Sequence, residues 1–194
     1  MRTDYLNPEL YNRLYGVMTF ENVLALRVSL ETGLRIDDVL SLREEQLSGR
    51  TLRGVAEKTG KSYKKVISQD LANKLTKIQK NGWIFPHRTK KDCHRTRQAV
   101  WANMKKAAAL LGVKLNAAPH SARKTYAVEV FQDGGIERAQ KELQHDRLST
   151  TMIYCFSNLL TDKDKKKDNS EGVDLEAFAE LIAEKVVKKM RASD

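Results

Sequence analysis

The chain has 194 residues, 41% of them hydrophobic, and a formal net charge of +10. That length holds one sizeable domain and a short extra element rather than two full domains. No run of 18 apolar residues exists and Met1-Arg2-Thr3-Asp4 opens no signal segment, so no membrane partner and a cytoplasmic location are expected, and the excess charge favours a polyanion such as nucleic acid.

Asn7-Pro8 reads as a cap followed by a favoured first helical residue, which predicts a helix over 8–16. Thr19 caps a second helix, with Phe20, Val23, Leu24, Leu26, Val28 and Leu30 as its apolar residues and Gly33 as its end. Asp37 or Asp38 is the expected cap of a short helix over 39–43, which leaves Arg35 in the tight link between two helices. Over 50–68 two apolar runs flank Lys58-Thr59-Gly60-Lys61, the pattern of a β-hairpin.

Helical spacing returns over 70–80, followed by a short extended piece over 83–86. A helix over 92–111 should bury Val100, Trp101, Met104, Ala107, Ala108 and Leu111, with Gly112 as its stop. Pro119 opens a helix with His120 and Arg123 on one face, ended by Gly134-Gly135. Two short helices then carry His145 and Tyr154. The expected fold class is α+β, mainly helical, with a small antiparallel sheet.

Residues 161–172 contain no apolar side chain and read as a charged flexible linker. Beyond it, Leu175, Phe178, Leu181, Ile182, Val186, Val187 and Met190 form an apolar stripe at helical spacing over 173–194. The catalytic unit is therefore placed at 1–160. The terminal helix can dock on its own domain or on a neighbouring protomer; both remain open.

Arg35, Lys58, His120, Arg123, His145 and Tyr154 together offer two guanidinium groups, an ammonium, two imidazoles and a phenol. Such a set can bind a phosphate, move protons and supply a nucleophile. Arg35 and Arg123 suit a phosphate clamp, because the guanidinium fork matches phosphate and keeps its charge. Lys58, in a turn, is the candidate general acid; Lys61, Lys64 and Lys65 are its near rivals. Each residue also has an ordinary reading: a solvated Arg after a helix, a charged hairpin tip, a chance His-x-x-Arg, a core Tyr.

Cys93 and Cys155 form no paired motif and read as reduced thiols, and Cys93-His94 lacks a second ligand pair, so no metal and no cofactor are expected. A basic run over 87–97 supplies Arg88, Lys90, Lys91, Arg95 and Arg97, with Lys61 and Lys124 elsewhere, as candidate DNA-backbone contacts. A solvated loop is the equal alternative for that run.

Thr32-Gly33-Leu34-Arg35-x-x-Asp38-x-Leu40-x-Leu42, His120-x-x-Arg123 and Leu143-x-His145-x-x-x-x-Thr150-Thr151-x-x-Tyr154 resemble, in order, the boxes of the tyrosine recombinases, or phage integrases. The resemblance implies a site-specific DNA recombinase catalytic domain that cleaves and rejoins strands through a 3′-phosphotyrosyl intermediate, without metal or ATP. Tyr154 would attack, His120 would help deprotonate it and His145 would donate to a phosphate oxygen. It further implies double-stranded DNA as partner, four protomers on two sites, and accessory DNA-bending proteins. A type IB topoisomerase-like nicking-closing enzyme and a non-catalytic DNA-binding protein on the same fold are the alternatives.

Three departures accompany the resemblance. Gln144 stands where the family usually has Gly, and Ala122 and Lys124 replace a commoner Leu and His. The 34 residues before Arg35 are too few for the family's N-terminal DNA-binding domain, so an excised or naturally short form is expected.

Overall fold

The Asn7 side chain accepts from the Leu10 N–H at 2.9 Å, and Pro8 follows it, so α1 (Pro8–Tyr15) begins where its sequence dictates. The computed structural model describes residues 3–155; the expected linker and terminal helix lie outside the described residues. Two compact units divide the chain after Tyr126.

In the first unit, α2 (Phe20–Thr32) buries Leu24, Ala25, Leu26, Val28, Ser29 and Thr32 and forms the axis of the core. A helix buried on most sides must satisfy its own polar side chains. Thr32 donates to the Val28 carbonyl at 2.6 Å and Ser29 to the Leu34 carbonyl at 2.7 Å. Gly33 ends α2 in the left-handed region (φ +71°), and α3 (Ile36–Leu40) starts three residues later.

A single 3-10 turn, 44–46, leads into a three-stranded antiparallel sheet. Its strands β1 (Leu47–Ser48), β2 (Thr51–Val55) and β3 (Ser62–Val66) pair in sequence order, with Arg53 opposite Lys64. The inner positions Leu52 and Tyr63 are buried in line with period-two alternation. The turn from β2 to β3 closes through the Ala56 N–H to the Lys61 carbonyl at 2.9 Å, with Gly60 at φ +64°.

Then follow α4 (Gln69–Ile78), capped by Ser68, and α5 (Arg97–Leu110), capped by Thr96. α2 packs against α3, α4 and β3, while α5 packs against α1 and α3. α6 (His120–Leu143) runs from the first unit into the second, and α7 (Leu148–Cys155) completes the described chain.

The architecture is the expected one, mainly helical with a small antiparallel sheet, but three local readings are corrected and one strand is added. Neither Asp37 nor Asp38 caps α3; Arg35 occupies the cap position, and Asp38 turns inward instead. β1 joins the hairpin as a third strand; at two residues it is too short to show a period. The short extended piece over 83–86 pairs through isolated antiparallel bridges, Trp83 with Arg43 and Lys80 and Pro86 with His94.

α5 starts at Arg97 rather than 92, because the His87 N–H bonds the Cys93 carbonyl (2.8 Å) and the Arg95 N–H the Phe85 carbonyl (2.7 Å), closing a loop. Its Trp101 is 49% exposed, not buried. As expected, the helix opened at His120 breaks at Gly134 (φ −151°) and Gly135 (φ +74°), and a second helical stretch completes the run labelled α6.

Candidate active site

Arg35 is positioned from both sides. Upstream, the Gly33 N–H donates to the Ser29 carbonyl at 2.9 Å and the Leu34 N–H to the Thr32 hydroxyl at 3.2 Å. Downstream, the Arg35 carbonyl accepts from the Val39 N–H at 2.9 Å, the first bond of α3. A backbone tied this closely fixes where the guanidinium departs. The same link holds the second arginine: Arg123, 4% exposed on the first turns of α6, donates through Nη1 to the Gly33 carbonyl.

Gly33 is also the point of closest packing. A Cβ there would lie 2.5 Å from Tyr126 Cε1, which only glycine avoids, and the positive φ favours glycine independently. The two candidate clamp arginines therefore share a three-residue link that admits one residue type at its centre.

His120 opens α6, three residues before Arg123. Its imidazole is pushed down from 6.5 to about 4, first by burial and then by the charges of Arg123, Lys124, Arg35 and Arg97. At neutral pH it is uncharged and can accept a proton. A bound phosphate would offset the surrounding positive charge and move it back up.

Lys58 is exposed in the β2–β3 turn. The turn is anchored to α3: buried Asp38 accepts from the Glu57 N–H at 2.8 Å through Oδ1. Asp38 Oδ2 makes no hydrogen bond among the described residues. Close by, Tyr63 is pushed up to about 12, by burial first and by the Asp38 charge second. Asp38 thus couples the hairpin that carries Lys58 to the helix that starts at Arg35.

The second unit holds the other two residues. α6 ends in a Schellman-type cap, with the His145 N–H on the Gln140 carbonyl and the Gln144 N–H on the Lys141 carbonyl, both at 3.1 Å. Gln144 takes φ +53°, which explains why glycine is common at this position in the resembled family. Gln140 Nε2 also donates to the His145 carbonyl at 3.2 Å, so one side chain and its backbone hold both polar groups of the His145 main chain. The ring is held as well: Nδ1 lies 3.1 Å from the hydroxyl of fully buried Thr151. Tyr154, one turn further along α7, stands edge-on to His145 with ring centroids 5.0 Å apart.

A family model described as the phage integrase family matches residues 5–159. The chain belongs to that family. A curated family relative, the tyrosine recombinase XerD of Lacticaseibacillus casei, is 30% identical over 136 residues, 63% of this chain and 46% of that protein. The chain thus spans about half the length of the curated relatives it matches. Among solved structures, the catalytic domain of bacteriophage HP1 integrase superposes with a TM-score of 0.62 at 21% identity, covering 84% of this chain and 95% of that one. A lambda integrase dimer bound to a COC′ core site gives a TM-score of 0.67 at 15% identity, covering 90% and 51%. These likenesses establish the integrase catalytic-domain fold.

The basic residues singled out in the sequence separate on this fold. Arg88, Lys90 and Lys91 are exposed on the loop between Pro86 and His94, whose tip is shaped by His87 Nδ1 accepting the Thr89 and Lys90 N–H groups at 3.2 Å. Lys61 is exposed at the hairpin turn, and Arg97 is exposed at the head of α5. Arg95 is committed inward, donating to Asn22 Oδ1 at 3.1 Å and pairing with Glu21. Lys124 is 6% exposed and donates to the Thr3 carbonyl, which suits tying down the N-terminal segment rather than touching a duplex.

Sequence reasoning did not single out Asp38, Gln140 or Thr151 as supports. The acidic residue after Arg35 and the Thr150-Thr151 pair were visible signals, but their partners are set by the fold. Among the described residues, no helix is long and apolar enough to cross a membrane, and no group of three or more His, Cys, Asp or Glu could hold a metal ion.

Proposed function

We propose that the chain is the catalytic domain of a site-specific DNA recombinase, acting on double-stranded DNA in the cytoplasm. The reading rests above all on Tyr154 standing beside His145 at 5.0 Å between ring centroids, in a chain of the phage integrase family. A phenol held next to a fixed imidazole is a nucleophile presented with a hydrogen-bond donor for the group it attacks.

The chemistry divides between the two clusters. Arg35 and Arg123 bind the non-bridging oxygens, where negative charge grows during attack. Tyr154 oxygen bonds to phosphorus as the bond to the 5′ oxygen breaks. The phenolic proton goes to His120, neutral in the free protein, and Lys58 protonates the departing 5′ oxygen. The product is a 3′-phosphotyrosyl link and a free 5′-hydroxyl. Because the phosphotyrosyl bond conserves the energy of the one broken, rejoining needs no ATP.

The supporting relatives extend to assembly. The lambda integrase structure is a dimer on its core site, and the proposed working state here is four protomers on two sites, with accessory proteins bending the DNA. Deleting residues from 161 onward is expected to weaken self-association on DNA while sparing cleavage; unchanged assembly would place the terminal helix on its own protomer.

Covalent capture tests the reaction. The full chain, in EDTA, is mixed with nicked suicide duplexes from the gene's flanking DNA and from a random pool. The expected result is an SDS-resistant adduct in wild type and none in Tyr154→Phe, with DNA binding equal in both. An adduct that survives Tyr154→Phe would remove Tyr154 as the nucleophile.

A further inference from the structure

Arg97 is the first residue of α5, and its guanidinium Nη1 lies 3.3 Å from Oδ2 of Asp37 on α3. Asp37 stands two residues beyond Arg35, and α3 packs against α5. Both side chains are more than half exposed, Arg97 at 58% and Asp37 at 51%. The neighbouring cations differ in this respect: Arg95 is tied to Asn22 and Glu21, and Lys124 to Thr3.

An exposed ion pair of this kind contributes about 0–1 kcal/mol and holds the arginine only loosely. Only one of the five N–H donors of the guanidinium is engaged with Asp37 here, which leaves a fork for a second anion. A phosphate meets that fork through charge-assisted, bidentate bonds, which are stronger than the pair it already has.

We propose that Arg97 is a further phosphate-binding residue of the recombinase site, gripping the DNA backbone next to the phosphate held by Arg35 and Arg123 and exchanging its loose pairing with Asp37 for the phosphate. The inference rests on the DNA-recombinase reading and deepens it. Its electrostatic counterpart is already present in the free protein, since the charge of Arg97 reaches the His120 ring together with those of Arg123, Lys124 and Arg35. A basic residue whose field extends to the candidate proton acceptor, and whose side chain is open to solvent beside the helix that begins at Arg35, is available to a duplex backbone engaged there.

The test measures the salt dependence of duplex binding by the full chain for wild type, Arg97→Ala, Arg97→Lys and Asp37→Asn. Each neutralised phosphate contributes about 0.9 to the slope of log affinity against log salt. Arg97→Ala is therefore expected to flatten the slope by about 0.9, so that raising salt from 50 to 200 mM costs about 3.5-fold less affinity than in wild type. Arg97→Lys keeps the slope, and Asp37→Asn binds DNA as well as wild type or better, because it removes an anion.

A merely structural ion pair predicts otherwise: Arg97→Ala and Asp37→Asn would weaken binding equally. That result, or an unchanged slope in Arg97→Ala with wild-type binding intact, overturns the proposal. Absence of salt-sensitive binding by wild type would instead sink the DNA reading itself, and this inference with it.

Discussion

The Asp38 carboxylate accepts a hydrogen bond from the Glu57 N–H at 2.8 Å, across 19 residues of sequence. This bond fixes the hairpin turn next to Lys58 against the helix that begins at Arg35. Removing the acceptor leaves a partly buried N–H without its partner, a loss of roughly 1–3 kcal/mol. Asp38→Ala is expected to slow adduct formation about tenfold or more, as a misplaced general acid does, whereas Asp38→Asn keeps a carbonyl acceptor and most of the rate. A duplex with sulfur replacing the 5′ bridging oxygen separates cause from consequence, because a thiolate leaves without a proton. It should restore Asp38→Ala toward wild type; a defect of equal size on both substrates would detach Asp38 from Lys58.

Gly33→Ala concentrates two penalties. The residue must hold φ +71°, which costs roughly 1 kcal/mol for alanine, and its Cβ would sit 2.5 Å from Tyr126 Cε1. Tyr126 must shift, and the Gly33 carbonyl that accepts from Arg123 shifts with it. Chemical denaturation should show a loss of about 2–4 kcal/mol, in the range of overpacked sites. Adding Tyr126→Ala should return the steric part and leave the backbone part. If the double variant is no more stable than expected from adding the two single losses, the ring is not the obstacle.

How much of this was legible in the chain depends on the range over which each feature is set. Asn7-Pro8, Gly33 and the Lys58-Gly60 turn were readable because caps, left-handed stops and hairpin turns are decided within a few residues. The order of Arg35, His120, Arg123, His145 and Tyr154 was readable for the same reason, as short motifs. The start of α5 was not, because the loop before it is closed by backbone bonds between Phe85 and Arg95 and between His87 and Cys93, which leave no side-chain signature. Nor was the inward turn of Asp38, whose partner lies on the hairpin. Trp101 fell on a plausible apolar period yet faces solvent, since periodicity gives a stripe but not its width.

The depressed imidazole of His120 gives a pH dependence of known sign. The folded protein keeps His120 neutral down to about pH 4, while the unfolded chain protonates it near 6.5. Between those values the unfolded state binds more protons, so this group makes stability fall as pH drops from about 6.5 toward 4, by at most a few kcal/mol, roughly. Above 6.5 the contribution is constant. NMR titration should place the His120 ring midpoint far below an ordinary histidine's, and Arg123→Ala should raise it, because Arg123 is the largest charge acting on it. A midpoint near 6.5 in wild type would mean the ring is more solvated than its position at the head of α6 implies.

Thr151→Val isolates the support of the second cluster. Valine keeps nearly the shape of the buried threonine but removes the hydroxyl that lies 3.1 Å from His145 Nδ1. The His145 main chain stays held by Gln140, so the ring loses this hydrogen bond while the cap of α6 remains. Loss of a hydrogen-bond partner that orients a functional imidazole costs about 10–100-fold at metal-bound histidines, and a loss of that order is expected here. Adduct formation should fall by that order, with duplex affinity unchanged because no phosphate-binding charge is lost. The comparison that decides it is Thr151→Ser, which retains the hydroxyl and loses a methyl group. Serine should recover the rate while folding less stably than valine. If serine and valine slow cleavage alike, Thr151 acts through packing under α7 and not through His145.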